Sequence, residues 1–384
     1  MTITIMSDPS IDNLSIGNSS IAKEGNFPVV TIHLEHILKN YKLACQLAPK
    51  AKVMAVVKAD AYGHGALEVC RALHEADAFA VARVSEGVLL KSSGIKNDIY
   101  VLEGFLNKDE LQSCRDFNLI PYVHNKYQLD LLDDNFPIWI KTNTGMNRLG
   151  FTPKQITELF DLLKRKNIVG IASHFANADQ PKHPSNQSQI DAFYKIVEKL
   201  DLGVDVSFAN SDCIMTMPDQ HLDWIRPGIM LYGSAAGAVT DKRLNHGMTL
   251  TAPIIAVREL EAGDKIGYGG SWQALESCRV AVVGLGYADG YPREMPEGTP
   301  VLVQGMRRRL VGRISMDMLF VELEEEDRVE VSERITFWGE TLSIDEIAEC
   351  CGSIAYTLMT GLTQRIRRIY QTEYNPKFQE QLEE

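Results

Sequence analysis

No C-x-x-C pair occurs among the seven cysteines of the 384-residue chain, and Cys350 and Cys351 stand side by side. That spacing fits neither a simple disulfide nor a zinc ribbon. The nine histidines include no H-E-x-x-H, so no metal site is signalled. No window is apolar for long enough to span a bilayer. There is no P-loop, and GLGYADG (284–290) lacks both the G-x-G-x-x-G spacing and the strand–helix–strand setting of a dinucleotide site. Residues 1–27 are rich in Ser, Asn and Asp and lack a basic start followed by an apolar run. They read as a flexible extension and not as a secretory leader. With the odd cysteine count, this favours a reducing, cytoplasmic setting. No internal repeat or low-complexity tract follows.

What is present is an ordinary globular balance, 45% hydrophobic and 23% charged, enough to build a sizeable core and a second domain. The formal net charge is −12, the wrong sign for a general nucleic-acid binder. One basic run, Met306-Arg307-Arg308-Arg309, is short and reads as a solvated turn or strand edge.

From about residue 50, a short apolar run repeatedly ends in a polar residue or turn, and a helix-like stretch follows. The runs are VMAVVK (53–58), AFAVARV (78–84), DIYVLEG (98–104), LIPYVH (119–124), FPIWIKTN (136–143), IVGIASH (168–174), DVSFAN (205–210) and WIRPGIMLYG (224–233). The intervening ALEVCRALHEA (66–76), QITELFDLLKRK (155–166) and DAFYKIVEKL (191–200) space apolar residues helically. Alternation of this kind predicts parallel strands, and eight units predict a closed (β/α)₈ TIM barrel over 28–245. After 245 the strand-like runs are separated by turns, and helix returns only at 343–363, so 246–384 reads as a mainly β domain. The partner of VVTIHLE (29–35) is left open. Barrel active sites lie at the carboxyl ends of the strands. The run ends carry Lys58, Arg83, His124, Lys141, His174, Asn210 and Arg226, a ring that chance placement explains poorly.

Lys58 closes five apolar residues and opens KADAYGHGA. Burial at a barrel mouth lowers an ammonium's pKa and raises the share of neutral amine. A neutral amine is what an aldehyde cofactor needs to form a Schiff base, and pyridoxal 5′-phosphate held in this way is an electron sink next to an amino group.

VVKADAYGHG (56–65) resembles the pyridoxal-lysine segment of alanine racemases. The resemblance continues in family order through TGMNRLGF (144–151), SHFANAD (173–179), FANSD (208–212), IRPGIMLYG (225–233), GYGGSW (267–272), GYADGYPR (286–293) and GRISMDM (312–318). It implies a cofactor-holding barrel, a C-terminal β domain and a homodimer whose active sites are shared between subunits. It implies a two-base interconversion of L- and D-alanine, supplying D-alanine for peptidoglycan. By position, Lys58 would hold the cofactor and act as one base, and Tyr268 from the partner would be the other. Arg226 would face the pyridine nitrogen, Arg148 the phenolic oxygen and substrate carboxylate, and His174 would lie beside Arg226 and Tyr268. Tyr62, Ser211, Gly228 and Ile229, with Asn210 beside them, would hold the phosphate end. Tyr287, Met316 and Asp317 match the substrate entry and carboxylate region. Two bases on opposite faces suffice for racemisation. A phenol needs a positive neighbourhood to act as a base; His174 and Arg226 are expected to supply it.

Three positions depart from the pattern or leave it open. Asn143 stands where many members carry Asp before TGM. Lys141 matches a lysine that is carbamylated in some members. Gln364 stands where some members carry a phosphate-binding tyrosine. A serine or broad-specificity racemase on the same scaffold is the near alternative, with side-chain room near Tyr287 and Met316 deciding. A non-catalytic pyridoxal-phosphate carrier would keep the barrel lysine but lack the second domain, and a decarboxylase's characteristic motifs are not visible.

Overall fold

The computed structural model describes residues 27–235 and 242–371. The sequence-expected extension lies, except for Phe27, outside the described residues. Eight parallel strands close into a barrel in chain order: β2 (Lys52–Val56), β3 (Ala78–Val81), β4 (Asp98–Val101), β5 (Leu119–Val123), β6 (Ile138–Lys141), β7 (Ile168–Ala172), β8 (Asp205–Ser207) and β9 (Trp224–Ile225). Each coincides with one of the apolar runs, and each stops before the polar residue at that run's end, except β6, whose last residue is Lys141. In a barrel covered by helices a strand is buried on both faces, which is why these read as continuous apolar segments. The last run is the exception in kind: after the two residues of β9 the chain leaves the sheet and forms a 3₁₀ turn, Ile229–Tyr232.

Packing inside the barrel is aromatic. Tyr122 stacks on Trp139 with ring centroids 5.4 Å apart, and Tyr100 and Trp224 meet the Trp139 ring edge-on. β7 passes this cluster at Gly170, where a Cβ would lie 2.2 Å from the Trp139 ring.

β1 (Val29–His33) does not join the barrel. It lies between β10 (Met248–Leu260), antiparallel, and the last described strand (Arg367–Gln371), parallel, in an eight-stranded sheet built otherwise from the C-terminal half. One continuous hydrophobic cluster runs from Val30 and Ile32 through the barrel to Trp338 and Ile366. The 343–363 stretch forms two short helices, Ile344–Cys350 and Ala355–Gly361. The basic run lies on a strand, Met306–Val311, and each arginine has a carboxylate partner: Glu346 for Arg307, Asp327 for Arg308 and Glu322 for Arg309. No described helix is long and apolar enough to cross a membrane.

Candidate active site

Directly after β2 the chain makes a left-handed turn. Ala59, Asp60, Ala61 and Tyr62 all have φ between 51° and 54°, a conformation that costs a non-glycine residue about 1–2 kcal/mol each. Side-chain carboxylates hold it in place. Glu86 accepts from the Ala59 N–H at 2.7 Å and from the Ala82 and Arg83 N–H groups, and Asp60 accepts from Ala66 N–H at 2.8 Å. Strain held by several partners is the mark of a site that requires one geometry. Here the turn presents Lys58 and Tyr62 together to a cavity of about 750 Å³.

All nine residues expected at the cofactor line this cavity: Lys58, Tyr62, Arg148, His174, Asn210, Ser211, Arg226, Gly228 and Ile229. His124 and Lys141 from the expected ring do so as well. Arg83 does not: it is exposed at the N-cap of the next helix, and Ala82 lines the cavity in its place. Arg83, two residues past the end of β3, thus lies outside the cavity.

At one side of the cavity the basic groups crowd together. Arg226 is 5% exposed. Its guanidinium donates to Ser207 Oγ, to Ser173 O at 2.7 Å and to Phe208 O at 3.3 Å, and its Nη2 lies 3.4 Å from His174 Nδ1. No carboxylate is among these partners. Burial, then the charges of Lys141 and Arg226, hold His174 well below the ordinary histidine range, so it is neutral. His174 therefore adds no positive charge of its own to this side of the cavity. Burial likewise brings Lys141 far below the usual lysine value, with Arg226 and Arg148 adding to the effect. Lys58 is lowered by burial and then by Arg148, against the opposing pull of Glu103 and Glu86. A lysine displaced in this direction has a larger neutral fraction, the form that attacks a carbonyl.

Asn143 builds the loop that carries Arg148. Its Oδ1 accepts from the N–H groups of Gly145 and Asn147, and its amide donates to Asn147 Oδ1 at 3.0 Å. An aspartate could accept the same two bonds but could not make the third. The asparagine is thus a loop-forming residue here.

The opposite end is lined by neutral donors. Asn210 caps the helix Ser211–Thr216. Ser211 Oγ accepts from the backbone N–H groups of Gly228 and Met230, which open the 3₁₀ turn. A Cβ on Gly228 would come 2.6 Å from the Tyr62 hydroxyl, so the glycine keeps that hydroxyl close over the backbone. The hydroxyls of Tyr62 and Ser211 beside this turn suit a phosphate. Together with an amine of lowered pKa and a run of cationic groups, they fit a pyridoxal phosphate. Gln364 does not line the cavity, whereas Tyr356 does. Sequence reasoning passed over Tyr356 because its helix belongs to the C-terminal domain and carries no motif.

Tyr268, Tyr287, Met316 and Asp317 do not line the cavity of their own chain. They sit on the β domain. Tyr268 is 73% exposed, on the turn of the hairpin β11 (Lys265–Ile266) and β12 (Trp272–Gln273). The Ala288 N–H donates to Met316 O, which places the Tyr287 turn against the Met316 loop, and Arg365 pairs with Asp317 at 2.8 Å. The structure brings these four to a surface of the β domain, apart from Lys58.

Two family models match the chain: the alanine racemase N-terminal domain over residues 32–236 and the C-terminal domain over 247–370. The alanine racemase of Shewanella sediminis is 41% identical over 353 residues, covering 88% of this chain and 98% of its own. The biosynthetic alanine racemase of an Escherichia coli O6:H1 strain is 41% identical over 356 residues, covering 89% of this chain and 98% of its own. Among solved structures, the biosynthetic alanine racemase of Pseudomonas aeruginosa superposes with a TM-score of 0.85 at 39% identity, covering 91% of this chain and all of that one. That of Bartonella henselae, which carries covalently bound pyridoxal phosphate, superposes with a TM-score of 0.84 at 30% identity, covering 90% and 99%.

Proposed function

The chain belongs to the alanine racemase family, and from that premise we propose a division of labour in which Lys58 and the partner subunit's Tyr268 are the two bases. The protein is a pyridoxal-phosphate-dependent racemase that interconverts L- and D-alanine. Its place, on this reading, is the cytoplasm, where it supplies D-alanine for the cell wall.

Tyr62, Ser211 and the Gly228–Ile229 backbone would hold the phosphate, Arg226 would meet the ring nitrogen, and Lys58 would hold the cofactor's carbonyl carbon. When bound, the cofactor draws electrons from the substrate's α-carbon and makes its proton labile. Lys58, with its pKa lowered by burial, takes that proton on one face. Tyr268 delivers a proton to the other face, and in the reverse direction the two exchange roles. One proton leaves and one returns, so the reaction is neutral in charge and involves no oxidant. Arg226 keeps its own proton: a guanidinium is a very weak acid, and it is bonded to Ser207, Ser173 and Phe208. It therefore offers N–H bonds without a transferable proton. Arg148, at the cavity's edge, receives the alanine carboxylate. Tyr268, Tyr287, Met316 and Asp317 complete the site from the second subunit of a homodimer.

The observation that carries this reading is a lysine of lowered pKa in the same cavity as a phosphate-suited cradle. The test is reduction of the purified protein with borohydride, followed by peptide mapping. A pyridoxyl adduct on Lys58, with loss of visible absorbance and of racemase activity, is expected. An adduct elsewhere, or none, defeats the assignment. Tyr268→Phe should lower racemisation at least a hundredfold while leaving the adduct on Lys58 unchanged.

A further inference from the structure

Two amides lie where a helix should be apolar. On the helix Pro184–Leu200 the buried positions are 186, 189, 193, 196 and 200, the spacing of a core stripe. Phe193, Ile196 and Leu200 fill three of them. Asn186 and Gln189, each 2% exposed, fill the two at the end that follows the β7 loop. A side-chain amide buried in this way costs free energy unless its hydrogen bonds are made. Asn186 serves its own loop: its Nδ2 donates to Asn177 O at 3.0 Å and to Gln180 O at 2.9 Å. Gln189 reaches two loops at once. Its Oε1 accepts from the Ala176 N–H at 2.9 Å, and its Nε2 donates to His174 O at 3.0 Å and to Thr144 Oγ1 at 3.3 Å. His174 and Ala176 follow β7, whereas Thr144 follows β6. A backbone N–H on one side and a carbonyl on the other fix which way the amide faces.

That orientation sets a one-way chain of donors. The Thr144 hydroxyl accepts from an NH₂ group that can only donate, so its own proton goes to Ser173 Oγ, 2.8 Å away. Ser173 Oγ then donates to Thr142 O at 3.1 Å, and Ser173 O receives Arg226 Nη2 at 2.7 Å. The stem of Gln189 lies against the same loop, since a Cβ on Gly145 would fall 3.1 Å from Gln189 Cγ.

Arg148 lies on this loop, whose turn is folded by Asn143, and it makes no ion pair with any described residue. Where its guanidinium can reach is therefore set by how the loop is attached to the barrel. We infer that Gln189 is a positioning residue for the substrate: it latches the Arg148 loop to the His174 segment and so fixes where Arg148 holds the alanine carboxylate. The inference rests on the reading of Arg148 as the partner of that carboxylate.

The test removes the donors and keeps the shape. In Gln189→Glu the bond from the Ala176 N–H can remain. A carboxylate oxygen then faces His174 O, and the Thr144 hydroxyl must turn its proton away from Ser173. KM for alanine should rise roughly tenfold, by the same factor for both enantiomers because both present the same carboxylate. Over the same change kcat should stay within about threefold and the affinity for pyridoxal 5′-phosphate within about twofold. An unchanged KM, with or without a lowered thermal midpoint, would make Gln189 a structural residue only. A rise in KM matched by an equal fall in kcat or in cofactor affinity would mark general damage to the site. Either result overturns the inference. Should Gln189→Glu fail to fold, Thr144→Val removes the hydroxyl that Gln189 holds, and Thr144→Ser keeps it. The valine variant should show the raised KM and the serine variant should stay within about twofold of wild type; equal KM values in the two overturn the inference. Arg148→Ala is measured alongside. If it leaves KM unchanged, the carboxylate assignment falls first. If it raises KM and Gln189→Glu does not, this inference alone falls.

Discussion

His64, two residues past Tyr62 in YGHG, is fully buried and has no catalytic role in the scheme above. Its Nδ1 faces the carbonyls of Ala61 (3.0 Å) and Tyr62 (3.1 Å), its ring packs on Tyr232, and its Nε2 has no hydrogen-bond partner. Two carbonyls can only accept, so Nδ1 carries the proton and the neutral ring ties down the left-handed turn. Burial holds its pKa down to about 3, with Arg368 and His33 adding to the effect against the two carbonyls. The unfolded chain protonates this histidine near pH 6.5 while the folded one does not, so the unfolded state binds more protons below that value. The stability contributed by His64 is therefore complete above pH 6.5 and is lost progressively as pH falls towards 3. At pH 5 the loss is about 2 kcal/mol. Unfolding free energies from urea titrations at pH 8 and pH 5 should differ by that amount in wild type and draw together in His64→Gln. A variant with the same separation as wild type would place the acid sensitivity elsewhere.

At the scale of elements, β7 shows how a strand can be limited by one atom. Gly170→Ala puts a methyl 2.2 Å from the Trp139 ring, which is locked between Tyr122, Tyr100 and Trp224. Overpacking of this kind destabilises by about 1–3 kcal/mol. Thermal denaturation should show it as a lowered midpoint, and an unchanged midpoint would mean that the aromatic cluster yields. Nothing in IVGIA announces that contact, because it depends on β6 and β9, which are distant in sequence. The barrel strands themselves were legible, since burial on both faces imposes an apolar run on each. Residues lining the barrel mouth, such as Lys58, His174 and Arg226, were legible too, because each interrupts such a run. Arg83 has the same signature and lies outside the cavity, a difference that hydrophobicity does not record. The left-handed turn was hidden for a different reason. Ala-Asp-Ala-Tyr has no preference for positive φ, and the conformation is imposed by Glu86, which lies one strand away. β1 and Tyr356 show the limit of reading domains as consecutive segments. The first described strand belongs to the sheet formed by the C-terminal half, and a C-terminal helix closes a barrel cavity.

At the scale of the whole molecule, the four β-domain residues assigned to the reaction are separated from the lysine they are meant to serve. Tyr268 is 73% exposed and lines no part of its own chain's cavity. Leu275, beyond the same hairpin, is 95% exposed, so apolar surface accompanies it. Under the proposed scheme, a proton donor at Tyr268 that reaches within hydrogen-bond distance of the α-carbon would come from another copy. A two-fold dimer satisfies this twice, since each chain then gives its Tyr268 surface and receives its partner's. The arrangement makes a prediction that no single-chain site could meet. Lys58→Ala and Tyr268→Ala homodimers are each expected to be inactive. After the two variants are mixed, dissociated and allowed to reassociate, half of the dimers are mixed. In a mixed dimer, one site joins the intact Lys58 of one chain to the intact Tyr268 of the other, and the second site lacks both. Random reassociation thus restores one working site in four, roughly a quarter of wild-type activity. If lysine and tyrosine came from the same chain, every site would lack one of them and mixing would restore nothing. The measurement is racemase activity of the mixture before and after reassociation, with a double variant carrying Lys58→Ala and Tyr268→Ala in one chain, mixed with wild type, as the companion. In that pairing, every mixed dimer holds two half-sites and activity should fall on exchange. An own-chain tyrosine would leave the activity of that mixture unchanged.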